Sequence, residues 1–287
     1  MKKLDLYRED FCISDPSLII TLTQPSTEWH QMIVICPPFG RKRENLALLA
    51  ATLAVNGYAN VRIDLRNHVG ESSGTSLEFT LSQVLTDLYD TTLWIRNKWP
   101  HIRLHLLTMS LSTRPATRFI AKQKAGKEYS SFSAFVPVLD IRHVVHKASG
   151  KDYFQTVIDG KYEEGIILDQ PVSSLFVFDA RSNGMEGAED SLKDLQEIYI
   201  PVRLFAATED EWVDYEELKW ICKQSHENVL LINVDNARHN IGKNLAAARI
   251  TLEKYIHELN KLDGFRKDFI KPSILELVLF SRSDRKK

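Results

Sequence analysis

Three side chains suited to acyl-transfer chemistry each follow a short apolar run of the sequence. They are Ser110, Asp210 and His239, and the runs before them are LHLLTM, PVRLFAA and NVLLINV. A histidine can take the proton of a serine hydroxyl while a carboxylate orients the imidazole, which makes the serine a nucleophile. Each residue alone is more often structural. The three types in this order, each just after a predicted strand, favour a nucleophilic triad.

The elements that must position this triad alternate between strands and helices. Residues 4–23 read as a hairpin-like pair. Further strands are predicted at Met32–Cys36, Asn60–Asp64, Leu104–Met109, Ser131–Val138, Pro201–Ala207 and Asn228–Val234, and helices at Glu44–Asn56, Leu81–Ile95, Thr113–Lys124 and Asn244–Leu259. Such alternation with short loops predicts a mostly parallel sheet with helices on both faces, whose ligands bind at the carboxyl ends of the strands.

This arrangement and the order of the triad predict the α/β-hydrolase fold. In that fold the nucleophile lies on a sharp turn between a strand and a helix, and the next backbone N–H points at the developing oxyanion. We expect the N–H of Leu111 to be one oxyanion donor and that of Phe39 to be the second, because the two prolines before Phe39 have no N–H. Thr108 and Ser112 stand at the two positions around Ser110 that usually hold glycine.

About sixty residues lie between Val138, at the end of one predicted strand, and Pro201, at the start of the next. They show no clear strand-helix repeat, and they are too many for a simple connection. We therefore predict an inserted cap at residues 139–199, with the α/β-hydrolase core formed by residues 1–138 and 200–287. Apolar residues of the cap, among them Tyr153, Phe154 and Phe176, are candidates for binding an aliphatic chain. A helical subdomain that packs its own core is the alternative.

Composition excludes several classes of protein. The net charge of −1 offers no attraction for nucleic acid, and the basic tail SRSDRKK is expected to be solvated. Three widely spaced cysteines argue against a disulfide framework and fit a reducing compartment. No run approaches the about 18 apolar residues that a membrane span needs. We therefore expect a cytoplasmic protein with no membrane span.

Other polar groups give weaker signals. His68 lies in the loop DLRNHVGESSG and is expected to be structural, because similar loops order the surroundings of the site in α/β-hydrolases. His143 and His146 have the spacing of a metal pair, but no carboxylate or cysteine cluster accompanies them, so no metal is predicted. Cys36 ends a buried strand and is expected to be inert. No phosphate-binding or dinucleotide motif is present, and no cofactor is implied.

Five segments resemble one family of enzymes. They are PPFGRKRENLALLAATLAVNGY, RIDLRNHVGESSGTSLEFT, TMSLSTRPA, ATEDEWV and RHNIGKN. In this order they are similar to the acyltransferases of the bacterial luminescence operon, which are myristoyl-acyl-carrier-protein thioesterases. The family's Ala-x-Ser-x-Ser motif falls on Ser110, its acid on Asp210 and its histidine on His239. Thr108 replaces the alanine, and Asn240 stands where the family tends to have aspartate.

The resemblance implies a serine thioesterase or acyltransferase that cleaves medium to long fatty acyl thioesters through an acyl-serine intermediate, releasing fatty acid for aldehyde or lipid biosynthesis. The donor would be acyl-acyl-carrier-protein or acyl-CoA, and fatty-acid reductase subunits are candidate partners. Arg41, Lys42 and Arg43 are candidates for docking the carrier. The alternatives are a carboxylesterase or lysophospholipase-like hydrolase, and a non-catalytic acyl-binding module.

Overall fold

The computed structural model describes residues 5–161, 164–264, 268–273 and 276, so the predicted basic tail lies outside the described residues. The strands are β1 (Leu6–Cys12), β2 (Ile19–Pro25), β3 (Gln31–Cys36), β4 (Ala59–Ile63), β5 (Arg103–Met109), β6 (Tyr129–Phe135), β7 (Gly165–Ile167), β8 (Gln170–Val172), β9 (Val202–Ala207) and β10 (Val229–Val234). The helices are α1 (Ala47–Val55), α2 (Leu81–Lys98), α3 (Thr113–Lys122), α4 (Ile141–Ser149), α5 (Tyr153–Ile158), α6 (Ser174–Ser182), α7 (Ala188–Leu195), α8 (Tyr215–Gln224) and α9 (Leu245–Asp263).

Eight strands form one sheet in the order β1-β2-β4-β3-β5-β6-β9-β10. β1 pairs with β2 and β2 with β4 in antiparallel fashion, whereas β3, β4, β5, β6, β9 and β10 run parallel to one another. The predicted mostly parallel sheet is therefore confirmed. The carboxyl ends of β3, β5, β9 and β10 meet at one edge of the sheet, which brings the loops after them together.

Helices cover both faces of this sheet, as the sequence predicts. On β3, Met32, Val34 and Cys36 pack into a hydrophobic cluster with α2, α3 and α8, while Ile33 and Ile35 pack into a second cluster with α1 and α9. Successive side chains of a strand point to opposite faces, so this apolar run serves both cores. Burial raises the pKa of the Cys36 thiol to about 12, which agrees with an inert cysteine.

Some predicted boundaries shift at turns. β6 ends at Phe135 rather than at Val138, because Val136 has a φ of +45° that an extended strand does not adopt. The predicted helix at 44–56 begins as a 3-10 helix over Arg43–Leu46 before α1. α9 begins after Asn244, whose side chain accepts hydrogen bonds from the N–H groups of Ala246 and Ala247.

The described part of the segment between β6 and β9 contains four helices and the antiparallel pair β7 and β8. α6 is joined to the start of α2, because the Asp179 carboxylate accepts a hydrogen bond from the Ser82 N–H at 2.9 Å. α7 is joined to α3 by Asp194, which lies 2.7 Å from both Arg114 Nη2 and Arg118 Nε. The division into a core and a cap at residues 139–199 stays a prediction, and α7 lies at the border of the two parts.

Across the described parts of the chain, none of the helices has the length and apolar character that a membrane crossing requires.

A buried histidine joins three neighbouring strands of the sheet. His105 on β5 is 1% exposed, its Nδ1 lies 2.7 Å from Ser131 Oγ on β6, and its Nε2 lies 3.1 Å from Gln31 Oε1 on β3. Burial, aided by the positive charge of Arg103, lowers the pKa of His105 to about 3. The folded protein therefore holds His105 in its neutral form at physiological pH.

This histidine should make the stability of the protein sensitive to acid. The unfolded chain takes up a proton at the ordinary histidine pKa of 6.5, while folded His105 resists protonation down to about pH 3. The free energy of unfolding should fall as the pH falls through this window, by up to about 1.4 kcal/mol per pH unit from this residue. Urea unfolding at pH 7 and pH 5 should show a weaker pH dependence for His105→Gln, whereas His101→Gln at an exposed position should match the wild type. Equal pH dependence in all three proteins would contradict the assignment.

Candidate active site

Ser110 lies on a strained turn between β5 and α3. Its φ is +54°, a left-handed conformation that costs a residue with a side chain about 1 to 3 kcal/mol. The side chain is buried at the carboxyl end of the sheet, and the Ser110 carbonyl accepts a hydrogen bond from the Val138 N–H at 3.2 Å. The turn thus has the geometry that the sequence predicts for a nucleophile.

Hydroxylic residues replace the usual glycines around this turn and are bonded to their surroundings. Thr108 Oγ1 lies 3.2 Å from Thr113 Oγ1, so one hydrogen bond closes the turn across its base. Ser112 Oγ donates a short hydrogen bond to the Pro37 carbonyl in the loop after β3. This second bond ties the turn that carries Ser110 to the loop that carries Phe39.

His239 and Asp210 complete a hydrogen-bonded chain with Ser110. Ser110 Oγ lies 2.7 Å from His239 Nε2, and His239 Nδ1 lies 2.8 Å from Asp210 Oδ2. All three side chains are buried. The structure therefore brings together the three residues that the sequence singles out, with the imidazole between the hydroxyl and the carboxylate.

The loop after β9, which carries Asp210, is hydrogen-bonded to the end of β10 and to the loop after it, which carries His239. Thr208 N–H donates to the Val234 carbonyl at 3.1 Å, and Glu209 N–H donates to the Ala237 carbonyl at 2.9 Å. Asp210 Oδ1 accepts hydrogen bonds from the Trp212 and Val213 N–H groups, each at 3.0 Å. Donors on the backbone thus orient the carboxylate that faces the imidazole.

Two neighbours of His239 were not identified from the sequence. The Glu211 carboxylate accepts a hydrogen bond from the His239 backbone N–H at 3.1 Å. The Trp212 ring contacts the imidazole with the two centroids 4.6 Å apart. The acidic loop TEDEWVD contains four carboxylates, and no pattern in it shows which of them contacts His239.

The two predicted oxyanion donors lie on the two loops that Ser112 joins. Leu111 directly follows Ser110, and Phe39 follows the two prolines after β3; both are buried. The next residue, Gly40, has a φ of +75° and donates its N–H to His68 Nε2 at 2.9 Å. Burial lowers the pKa of His68 to about 4, so the neutral imidazole is available as the acceptor. His68 thus holds the Phe39 loop in place, in agreement with its predicted structural role.

The candidate substrate-binding residues are part of the packed interior. Phe154 and Phe176 are fully buried with ring centroids 6.4 Å apart, and Phe176 stacks on Phe79, which contacts Phe39. A row of aromatic rings therefore connects the Phe39 loop with the predicted cap. Phe154 and Phe176 lie in the same hydrophobic cluster as side chains of β3 and α2, so their packing is continuous with that of the sheet.

Tyr153 and Phe176 line a small cavity inside the predicted cap, together with apolar side chains of α5, β7, β8 and α6. The cavity has a volume of about 10 Å³, which is at the lower limit of the space that can hold one water molecule. The Tyr153 hydroxyl accepts a hydrogen bond from the Ile166 N–H at 3.1 Å. Binding of an acyl chain by these residues stays a prediction.

The prediction that Arg43 docks a carrier is wrong, although Arg41 and Lys42 are exposed. The Arg43 side chain is 2% exposed and forms an ion pair with the fully buried Asp64, while its Nη2 lies 2.7 Å from Glu71 Oε2. Burial lowers the pKa of Arg43, but these carboxylates outweigh burial and raise it above its ordinary value. Arg43 is not available to a carrier protein because its side chain compensates the charge of the buried Asp64 carboxylate.

Asp64 in turn orders the loop DLRNHVGESSG that contains His68. Its carboxylate accepts hydrogen bonds from the N–H groups of Arg43 at 2.7 Å and Glu71 at 3.0 Å. Gly70 has a φ of +126°, and a Cβ there would lie 2.4 Å from the Asp64 carboxyl carbon. Only glycine fits at this close approach.

The structure gives no support to a metal pair at His143 and His146. His143 is half-buried and His146 is exposed on α4. In the part of the chain that the structure describes, three or more His, Cys, Asp or Glu side chains never gather in a way that could hold a metal ion.

The fold and the site define a protein with the α/β-hydrolase architecture, and solved structures agree. The structure of Est1E from Butyrivibrio proteoclasticus with bound ferulic acid superposes with a TM-score of 0.71 at 18% identity, over 87% of this chain and 98% of that one. A monoacylglycerol lipase from Paleococcus ferrophilus superposes with a TM-score of 0.68 at 14% identity, over 90% and 99%. At such identities the likeness concerns the fold.

The chain belongs to the acyl transferase family, whose sequence profile matches residues 20–286. It is 26% identical to an acyl transferase from Photobacterium phosphoreum over 264 residues, which cover 90% of this chain and 85% of that protein. It is 31% identical to an acyl transferase from Aliivibrio fischeri over 227 residues, which cover 77% and 71%. The resemblance to the acyltransferases of luminescent bacteria is thus confirmed.

Replacing Arg43 should affect stability much more than replacing its neighbour. Arg43→Met leaves Asp64 buried without its main counter-ion, which should lower the free energy of unfolding by about 3 to 5 kcal/mol. Lys42→Met removes a charge of the same sign from an exposed position and should change stability by less than about 0.5 kcal/mol. Urea unfolding of the two variants beside the wild type measures the difference. Similar stabilities of both variants would contradict the structural role of Arg43.

Proposed function

We propose that the protein is a serine thioesterase or acyltransferase that cleaves medium to long fatty acyl thioesters through an acyl-Ser110 intermediate. The observation that carries this proposal is the buried hydrogen-bonded chain from Ser110 through His239 to Asp210. Membership in the acyl transferase family supports acyl transfer as the type of reaction. Acyl-acyl-carrier-protein and acyl-CoA are the proposed donors, and subunits of a fatty-acid reductase are proposed partners.

In the first half of the reaction, Ser110 Oγ attacks the thioester carbonyl carbon while His239 Nε2 takes the hydroxyl proton. Asp210 stabilises the imidazolium and keeps its Nδ1–H directed at the carboxylate. Negative charge develops on the carbonyl oxygen, for which the Leu111 and Phe39 N–H groups are the proposed donors. One such donor is worth about 3 kcal/mol of transition-state stabilisation.

In the second half, the tetrahedral intermediate collapses and the C–S bond breaks. The thiol leaves with the proton from His239, and the acyl group stays on Ser110 as an ester. Water or another acceptor then attacks this ester while His239 again takes a proton, and Ser110 recovers it when the fatty acid or acyl product leaves. The same three side chains thus serve acylation and deacylation.

Acylation of Ser110 should be visible in the mass of the intact protein. After mixing with acyl thioesters from short chains to about C16, the wild type should gain one acyl group, and Ser110→Ala should gain none. His239→Gln and Asp210→Asn should lower turnover by about 10³-fold or more, because they remove the proton acceptor or its orientation. The chain length that is retained best reports the acyl preference.

The same substrates separate the proposal from its alternatives. A strong preference for oxygen esters over thioesters of equal chain length would contradict the thioesterase proposal and favour a carboxylesterase or lysophospholipase-like hydrolase. Absence of both adduct and turnover with every thioester, combined with tight binding by Ser110→Ala, would favour an acyl-binding module. Rapid turnover without an adduct means that deacylation outruns acylation, and turnover must then disappear in Ser110→Ala.

Arg41 and Lys42 stay candidates for docking an acidic acyl carrier protein. Reversing both charges, in Arg41→Glu with Lys42→Glu, should raise the KM for carrier-bound substrate by about tenfold and leave the KM for a free acyl thioester unchanged, because only the carrier contacts the surface. Steady-state kinetics with both substrates measures this difference. The same reversal at exposed Lys147 and Lys161 is the control. An equal response of both substrates would contradict docking at this position.

A further inference from the structure

Three consecutive residues of the loop after β9 contact His239 at three different places. The Asp210 carboxylate lies 2.8 Å from the imidazole Nδ1, and the Glu211 carboxylate accepts a hydrogen bond from the His239 backbone N–H at 3.1 Å. The Trp212 ring lies against the imidazole with the centroids 4.6 Å apart, and it also packs against the hydrophobic cluster of the core. The first of these contacts belongs to the proposed triad. The other two act on the same histidine from its backbone and from its ring.

The loop that carries His239 is irregular on both sides of this residue. Residues 235–240, between β10 and a short 3-10 helix, form neither helix nor strand. Asn236 has a φ of +55°, and Arg238 and Asn240 are exposed. Loops of this kind are more mobile than the elements that they connect. A hydrogen bond to the His239 backbone therefore fixes the point from which the imidazole extends.

Asp210 folds its own loop so that the next two residues reach the histidine. Its Oδ1 accepts hydrogen bonds from the N–H groups of Trp212 and Val213, each at 3.0 Å. An aspartate that binds the backbone two residues further on stabilises a tight turn. The carboxylate that faces the imidazole thus also sets the positions of Glu211 and Trp212.

Acyl transfer requires His239 Nε2 to stay within reach of Ser110 Oγ and then of the leaving sulfur. A displacement of about 1 Å in such a group can lower the rate by about 100-fold. We propose that Glu211 and Trp212 are positioning residues for His239, with Glu211 fixing its backbone and Trp212 fixing the plane of its ring. This inference rests on the function proposed for the triad, because both residues act through His239 and not on the substrate.

Substitutions of Glu211 separate its hydrogen bond from its charge. Glu211→Gln keeps an oxygen acceptor for the His239 N–H and loses the charge, whereas Glu211→Met has a similar length without an oxygen acceptor. With an acyl thioester, Glu211→Met should lower kcat at least about tenfold at unchanged KM, and Glu211→Gln should stay within about threefold of the wild type. Glu211→Ala, which also lacks the acceptor, should match Glu211→Met. Glu227→Met is the control, because it makes the same change at an exposed position before β10.

Substitutions of Trp212 test the contact with the ring. Trp212→Phe keeps an aromatic ring beside the imidazole and should retain kcat within about threefold, whereas Trp212→Leu should lower kcat at least about tenfold at unchanged KM. Urea unfolding of each variant establishes that it is folded under the assay conditions. The rate of reaction with an alkyl fluorophosphonate, which measures activation of Ser110 without an acyl substrate, should fall in the same variants.

The outcomes that would overturn the inference differ from those that concern the proposed function. Wild-type rates in Glu211→Met, or equal losses in Glu211→Gln and Glu211→Met, would overturn the role of Glu211, because the hydrogen bond would then not be what His239 requires. Equal rates in Trp212→Phe and Trp212→Leu would overturn the role of Trp212. A wild type that shows neither fluorophosphonate labelling nor turnover would instead contradict the proposed function itself.

Discussion

The hydrogen bond between Ser110 and His239 is the interaction on which the site depends. It joins residues 129 positions apart in the chain, at a donor–acceptor distance of 2.7 Å. The triad that this bond completes needs three loops at the same edge of the sheet and a nucleophile turn held in a left-handed conformation. The parallel register of β5, β6, β9 and β10 supplies the common edge. Hydrogen bonds of Thr108, Ser112 and Val138 hold the turn.

The surrounding loops are ordered by buried polar groups. Arg43 neutralises Asp64, Asp64 binds the backbone of the following loop, and His68 in that loop accepts the Gly40 N–H next to Phe39. A buried ion pair contributes little net stability, but it fixes one arrangement because each partner is costly to leave alone. Together these contacts connect Asp64 at the end of β4 with the loop that contains Phe39, one of the proposed oxyanion donors. The position of Phe39 therefore depends on residues that take no part in the proposed chemistry.

Much of this organisation could be predicted from the sequence because it follows from local patterns. Apolar runs gave β3, β5, β9 and β10, and the position of one polar residue after each of three runs gave Ser110, Asp210 and His239. The prediction for Arg43 was wrong because Arg43 follows two other basic residues, and such a run resembles an exposed docking patch. Its buried partner Asp64 lies 21 positions away in the sequence. The contact of Glu211 with His239 could not be predicted for the same reason, because it depends on how two loops distant in the sequence pack together. The packing of Phe154 and Phe176 also depends on tertiary contacts, which apolar character alone does not specify.

The proposed reaction requires Ser110 to be a nucleophile that His239 activates. Peptide mapping after reaction with an alkyl fluorophosphonate tests it most directly, because this reagent reacts with activated serines and leaves ordinary hydroxyls unmodified. We expect modification of Ser110 in the wild type, protection by a fatty acyl thioester, and a rate at least about 10³-fold lower in His239→Gln. Modification of another serine, or an unmodified Ser110 in a protein that still turns over thioesters, would contradict it.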